Sequence, residues 1–254
     1  MTKAEIFATK FKIQLNRAFP SGKTKFFTSA IITAAGSGTR LGGVSKQLLP
    51  LVGKPCIFYS LSAFQECPEI NEIIITAKSD EVEEMKRLCA EFGIRKCKKV
   101  VAGGRTRQAS VQNGFEAIDP RSDFVMIHDA ARPLITSEQI SLLYKQARRW
   151  GSACAAEKVS DSVKRSKDGN LISETVDRSD LFTVQTPQVF RTDIYRVSLA
   201  YAHDNKLSVT DDTALAERIG FPVKLCELDA CNIKLTTKKD LEMICSIIKS
   251  RGEL

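Results

Sequence analysis

From residue 26 onward, short β-branched or apolar runs alternate with amphipathic stretches of helix length. Residues 27–33, 72–77, 98–102 and 124–128 read as strands, while residues 57–65, 81–92 and 108–117 repeat their apolar positions at helical spacing. Strand and helix in alternation argue for right-handed crossovers onto a largely parallel sheet covered by helices. In such a sheet the ligand crevice lies outside the carboxyl ends of the strands.

The rhythm changes after Trp150. Residues 152–173 hold three short strand-like pieces around the turn signal Lys167-Asp168-Gly169-Asn170, which predicts a protruding hairpin arm. A hairpin carrying Val159 and Val163 cannot bury itself alone. It either exchanges between two subunits or stays a surface hairpin of a monomer. The parallel pattern is expected to resume with a strand at 182–190, followed by helices at 194–203 and 212–219, a strand at 223–228 and a helix at 238–249. The expected fold class is thus α/β, a Rossmann-like, mostly parallel sheet flanked by helices with an inserted β-hairpin arm. It forms one domain over 28–254, preceded by an extension over 1–27.

Composition narrows the class. With 43% hydrophobic and 27% charged residues the chain can bury a sizeable core. No apolar run approaches the roughly 18 residues of a membrane span, and the first thirty residues lack the apolar centre of a secretory signal. A cytoplasmic protein with no membrane partner is expected. The eight cysteines include no C-x-x-C pair and no nearby histidine cluster, so free thiols in a reducing compartment are favoured over zinc. Of the net charge of +8, five units fall before Thr28, leaving a mildly basic body suited to phosphorylated substrates. That balance gives little support for a nucleic-acid partner, whose binding would be steeply salt-dependent. In the extension Phe7, Phe11, Leu15 and Ala18 fall near helical spacing. A basic amphipathic surface-binding or import helix and a frayed tail both fit, and removing 1–27 is expected to leave folding and activity intact.

The strongest local signal is Ala34-Ala35-Gly36-Ser37-Gly38-Thr39-Arg40-Leu41-Gly42-Gly43, followed by Ser45-Lys46-Gln47-Leu48-Leu49-Pro50. Small residues after a buried strand let the backbone approach a ligand, their amides can cradle phosphate oxygens, and Arg40 and Lys46 add positive charge. A dinucleotide fingerprint fails because Leu41 stands where a third glycine is required, and a P-loop fails for want of a terminal G-K-[ST]. Alone, the segment could also be a flexible glycine turn.

With its neighbours the segment resembles the signature loop of the nucleoside-triphosphate sugar-phosphate transferases, A-A-G-x-G-x-R-[LM]-G followed by P-K-Q. Ser45 replaces the proline, which removes a rigid turn-former but no charge. Three further segments resemble the 2-C-methyl-D-erythritol 4-phosphate cytidylyltransferase family in particular: Gly103-Gly104-Arg105-Thr106-Arg107-Gln108-Ala109-Ser110-Val111, His128-Asp129-Ala130-Ala131-Arg132-Pro133, and Thr175-Val176-Asp177-Arg178 leading into Gln185-Thr186-Pro187-Gln188. Asn232-Ile233-Lys234-Leu235-Thr236-Thr237 completes the series, so the resemblance spans residues 28–249.

The resemblance implies transfer of CMP from CTP to methylerythritol phosphate, with release of pyrophosphate, in non-mevalonate isoprenoid precursor synthesis. It makes Arg40, Lys46, Arg178 and Lys234 the catalytic cations: Arg40 and Lys46 on the triphosphate, Arg178 and Lys234 on the incoming phosphate. It assigns CTP to Ala34, Ala35, Gly36, Gly38, Gly103, Gly104, Ser110, Asp129 and Ala130. The sugar phosphate falls to Arg132, Ser162, Arg178, Thr186, Thr210 and Lys234. Magnesium, or another divalent cation, is the implied cofactor with Asp129 as its ligand; a carboxylate bonded to ribose or to Arg132 is the equal alternative. The acid that family members often carry just before Asn-Ile-Lys is missing, since Cys231 precedes Asn232 and the nearest acid is Asp229. Arg105 and Arg107 read equally as solvated charges, and His128 as a packing residue. Ser162 retains the hydroxyl of a segment that in the family crosses to a second subunit, which implies a homodimer. Ribitol-5-phosphate cytidylyltransferases are the nearest rivals, but they usually carry H-D-A-V-R-P where this chain has Ala131. A noncatalytic nucleotide-binding regulator on the same fold is disfavoured by the four retained cations.

Overall fold

Strand β1 (Thr28–Thr33) is the spine of a seven-stranded sheet. In the computed structural model, which describes residues 24–36, 45–228 and 231–252, it pairs in parallel with β4 (Glu72–Ala77) on one side and β6 (Phe124–Asp129) on the other. Residues 1–23 of the extension, Gly38, Arg40 and Asp229 lie outside the described residues. Strand β5 (Cys97–Ala102) adds in parallel to β4 at the edge. β4 and β6 are buried throughout, as near-continuous apolar runs should be in strands covered on both faces.

The other half of the sheet departs from the sequence reading in two ways. Residues Ser152–Lys158 form β7 of the central sheet, so the arm begins later than residue 152. The small side chains from Ser152 to Ala156 are buried, where bulkier ones would hold the covering layers apart. The free hairpin is β8 (Val163–Arg165) with β9 (Glu174–Val176). Strand β10 (Phe182–Arg191) runs antiparallel to both β6 and β7, where a parallel strand is expected. The cause is the connection: the chain leaves β7 and returns through the arm with no helix to carry it across the sheet, so it re-enters at the same end. Strand β11 (Lys224–Glu227) then pairs in parallel with β7. Two further short strands, β2 (Pro50–Leu51) and β3 (Lys54–Pro55), form a separate pair.

Helices α1 (Cys56–Glu66), α2 (Val82–Glu91), α3 (Arg107–Ala117), α4 (Ser137–Trp150), α5 (Thr192–Asp204) and α6 (Thr213–Arg218) cover the sheet, while α7 (Lys238–Ser250) packs in a smaller cluster with Leu51 of β2 and Cys56 and Tyr59 of α1. Alternate residues of β1 and β4 divide between two cores: Ile32, Ile73 and Ile75 face Phe64 and Leu143, while Ile31 and Ile74 face Phe190 and Tyr195. Helix α3 approaches the sheet closely at Gly114, where a Cβ would stand 2.6 Å from Ile31 Cγ2 and 2.9 Å from Thr76 Cγ2. That contact brings the amino end of α3 over the strand ends. Among the described residues no helix is long and apolar enough to cross a membrane.

Candidate active site

The carboxyl ends of β1, β4, β5 and β6 are laced together by their outgoing backbones. Ala34 N–H donates to Thr76 O (2.7 Å), Gly103 N–H to Ala77 O (2.7 Å) and Ala130 N–H to Thr33 O (3.0 Å). Above them opens a cleft of about 370 Å³ lined by Ala35, Gly36, Lys46, Gly104, Arg107, Ser110, Asp129 and Lys234, among others.

One wall is made of small residues. Ser110 Oγ accepts from Gly104 N–H (3.0 Å) and donates to Thr106 O (2.9 Å), and Thr106 caps α3 through Ala109 N–H (3.0 Å). At Gly103 a Cβ would overlap the Ala35 Cβ and stand 2.8 Å from Ser110 Oγ. The two loops therefore touch only because a glycine faces an alanine.

The opposite side is charged. Asp129 ends β6 and is buried; its Oδ2 accepts from Lys234 Nζ (2.6 Å), and its Oδ1 from Thr33 Oγ1 (3.2 Å) and Arg107 Nε (3.4 Å). Arg132 Nε lies 3.9 Å from Oδ2. Burial works to raise this carboxyl, but Lys234 and Arg107 outweigh it and hold the group well below the usual carboxylate range. Arg107 Nη1 also donates to Asp212 Oδ2 (2.7 Å), and Tyr195 Oη donates to Asp212 Oδ1 (2.6 Å). Burial would lower the guanidinium, and the two carboxylates reverse that.

Lys234 reaches the cleft because its neighbours are anchored. Leu235 is buried and donates its N–H to Ala131 O (2.7 Å). Asn232 Nδ2 donates to Gln185 Oε1 (2.9 Å) and Thr186 O (2.8 Å), while Arg132 Nη1 donates to Asn232 O (2.6 Å). The Gln185-Thr186-Pro187-Gln188 segment, where β10 shifts register against β7, thus scaffolds the site. Its 186–187 peptide is cis, Thr186 Oγ1 accepts from Asp129 N–H (3.0 Å), and Gln188 Oε1 accepts from Asp212 N–H (3.0 Å) and Thr213 N–H (3.1 Å).

Of the residues named from the sequence, Ala35, Gly36, Lys46, Gly104, Ser110, Asp129 and Lys234 meet in this cleft. Ala34, Ala130 and Thr186 are buried behind it, and Gly103 stands against Ala35 and Ser110. Arg132 sits between Asp129 and Asn232. Ser162, Arg178 and Thr210 are exposed and do not line the cleft of their own chain. Arg107 is no solvated charge: it is the buried-side link between Asp129 and Asp212. Sequence gave no sign of that pairing, because its partner lies 105 residues away.

No three His, Cys, Asp or Glu side chains cluster as metal ligands among the described residues. A single carboxylate at the cleft suits a divalent cation held by one protein oxygen together with substrate phosphates, as magnesium often is, and does not suit an all-protein cage.

A parallel-sheet crevice with a small-residue wall, a cleft-lining lysine and a cation-ringed carboxylate fits a nucleotide-handling transferase of the α/β class. The family model described as 2-C-methyl-D-erythritol 4-phosphate cytidylyltransferase matches residues 28–250. The enzyme of that name from Alkaliphilus metalliredigens is 38% identical over 89% of this chain and 94% of its own length. That from Caldanaerobacter subterraneus is 40% identical over 84% and 95%. Among solved structures, 4-diphosphocytidyl-2C-methyl-D-erythritol synthase from Anaerococcus prevotii superposes with a TM-score of 0.77 at 29% identity, covering 88% of this chain and 96% of that one. The cytidylyltransferase from Thermus thermophilus gives 0.71 at 28% identity, with 88% and 100% coverage. The chain belongs to the 2-C-methyl-D-erythritol 4-phosphate cytidylyltransferase family, whose members are nucleotidyltransferase enzymes.

Proposed function

We propose that the chain transfers CMP from CTP to 2-C-methyl-D-erythritol 4-phosphate, releasing pyrophosphate and forming 4-diphosphocytidyl-2-C-methyl-D-erythritol for isoprenoid precursors. The observation that carries this reading is the cleft itself: Lys46 and Lys234 line it together with the Ala35, Gly104 and Ser110 wall. A flat pyrimidine fits against small residues and backbone amides where a purine is too large. A phosphate oxygen of the acceptor attacks the α-phosphorus in line, the bond to the β-phosphate oxygen breaks, and pyrophosphate carries away the electron pair. The attacking oxygen is already anionic, so no general base is needed. The chain's contribution is position and positive charge: Lys46 and Arg40 toward the triphosphate, Lys234 toward the acceptor phosphate. Asp129 would hold a divalent cation that neutralises phosphate charge.

Ser162 and Arg178 serve the sugar phosphate of a neighbouring subunit in this reading, because both are exposed on or beside the arm rather than at their own cleft. Leu171 and Ile172, 73% and 67% exposed at the arm's far end, favour a partner surface for it.

The test is a pyrophosphate-release assay crossing CTP, UTP, ATP and GTP with methylerythritol phosphate and ribitol phosphate. Turnover is expected with CTP and methylerythritol phosphate. Equal turnover with ribitol phosphate, or preference for a purine triphosphate, would refute the reading.

A further inference from the structure

Ser45 and Gln47 flank Lys46, and both are buried. Their side chains meet at one carboxylate on a different loop. Glu81 closes the single 3-10 turn Ser79–Glu81 after β4; its Oε1 accepts from the Ser45 hydroxyl, and its Oε2 accepts from Gln47 Nε2 (3.0 Å). Lys78 Nζ donates to Ser45 Oγ (2.7 Å) and to Glu81 Oε1 (3.0 Å). Gln47 Nε2 also donates to the Ala34 carbonyl oxygen at the end of β1. Neither Lys78 nor Glu81 lines the cleft.

We infer that Glu81, supported by Lys78, is a positioning residue: it clamps the backbone on both sides of Lys46 and so fixes where that ammonium stands in the cleft. The geometry favours this over a plain structural staple. A staple would need one contact to hold the turn, whereas the carboxylate takes one bond from the residue before Lys46 and one from the residue after it. Gln47 then ties the same turn to Ala34, where the phosphate loop departs from β1. Side chains that bond one another across two loops stiffen both, and preorganised charge contributes to catalysis only as far as it is held in place. Glu81 acts through Lys46, so the inference rests on the proposed role of Lys46 at the triphosphate.

Ser45 offers a second handle. Its φ is −61°, the angle a proline ring imposes. A proline there would replace the hydroxyl's restraint with a ring's.

The experiment measures kcat and KM for both substrates in Glu81→Gln, Lys46→Ala and the double variant, with Ser45→Ala and Ser45→Pro beside them. Glu81→Gln keeps the side chain's shape but sets one amide donor against another. It is expected to lower kcat about 10-fold with KM for methylerythritol phosphate unchanged, and to cost nothing further once Lys46 is already alanine. Ser45→Ala should lose rate, and Ser45→Pro should recover most of the loss. Should Glu81→Gln fail to fold, the two Ser45 variants decide the matter alone. The clamp is overturned if Lys46→Ala loses rate while Glu81→Gln does not, if the two losses multiply in the double variant, or if Ser45→Pro is no faster than Ser45→Ala. Full activity in Lys46→Ala would overturn the role of Lys46 and the clamp with it.

Discussion

His128 allows the tightness of the site's packing to be read through pH. The ring is fully buried on β6 against Phe64, with centroids 5.2 Å apart. Its Nε2 lies 3.2 Å from Arg132 O and its Nδ1 3.2 Å from Thr186 Oγ1, which itself accepts from Asp129 N–H. The set closes when Nε2 carries the proton and Nδ1 receives the Thr186 hydroxyl hydrogen. A proton on Nδ1 would break it. Burial pushes the imidazole down to about 4, with the Asp129 charge and the hydrogen bond to the Arg132 carbonyl opposing and the Arg132 and Lys234 charges adding to the depression. An unfolded histidine titrates near ~6.5. Between those values the unfolded chain binds a proton that the folded chain refuses, so stability falls as pH falls through this window and levels off below it. From pH 7 to pH 5 the loss is about 2 kcal/mol, or about 4–8 °C in Tm for a chain of this size. Calorimetry of the wild type and of His128→Gln at both pH values checks this. The variant should be less stable at pH 7 yet lose about 4–8 °C less on acidification. Equal losses would mean that His128 does not titrate with folding.

Two further outcomes follow from contacts already described. Gly103→Ala should destabilise by about 1–3 kcal/mol through overpacking against Ala35 and Ser110 and raise KM for CTP, with part of the stability recovered in the Gly103→Ala, Ala35→Gly pair, which relieves only the Ala35 contact; denaturant titration that finds no recovery at all rules out the close approach of the two loops. Lysine at both Leu171 and Ile172 should weaken dimerisation and raise KM for the sugar phosphate more than for CTP, and a fully active wild-type monomer in sedimentation would exclude arm exchange.

The elements easiest to read in the sequence are those with a dense apolar run or an apolar repeat at helical spacing. Glu72–Ala77 is recovered to the residue, and the helix expected at 57–65 extends only to Cys56–Glu66, because continuous burial and helical spacing leave a direct imprint on composition. The direction of β10 leaves none, since an antiparallel strand buried on both faces has the same composition as a parallel one. Ser152–Lys158 misleads for the opposite reason: alanines and a cysteine beneath helices carry a weak hydrophobic signal and look like an arm. The site divides in the same way. Lys46, Gly104, Ser110 and Asp129 lie in contiguous motifs whose chemistry is local. The bonds from Arg107 to Asp212 and from Gln47 to Glu81 join separate elements, so no short window of sequence contains both partners.

These pairings decide which cation is free to act. Asp129 is shared by Lys234 and Arg107, and an incoming phosphate competes for both. Lys234 is 42% exposed, so water solvates its ammonium as it turns from Asp129 to a phosphate, and the buried carboxylate left behind still has Arg107. Arg107 is held otherwise. Its second partner, Asp212, is 2% exposed, and stripping a buried carboxylate of its cation costs about 3–5 kcal/mol. In the proposed reaction Arg107 therefore stays, keeps Asp129 compensated, and leaves Lys234 as the group expected to turn to substrate. The low carboxyl of Asp129 owes most to Lys234 and next to Arg107, so once Lys234 turns to a phosphate it is Arg107 that keeps Asp129 paired.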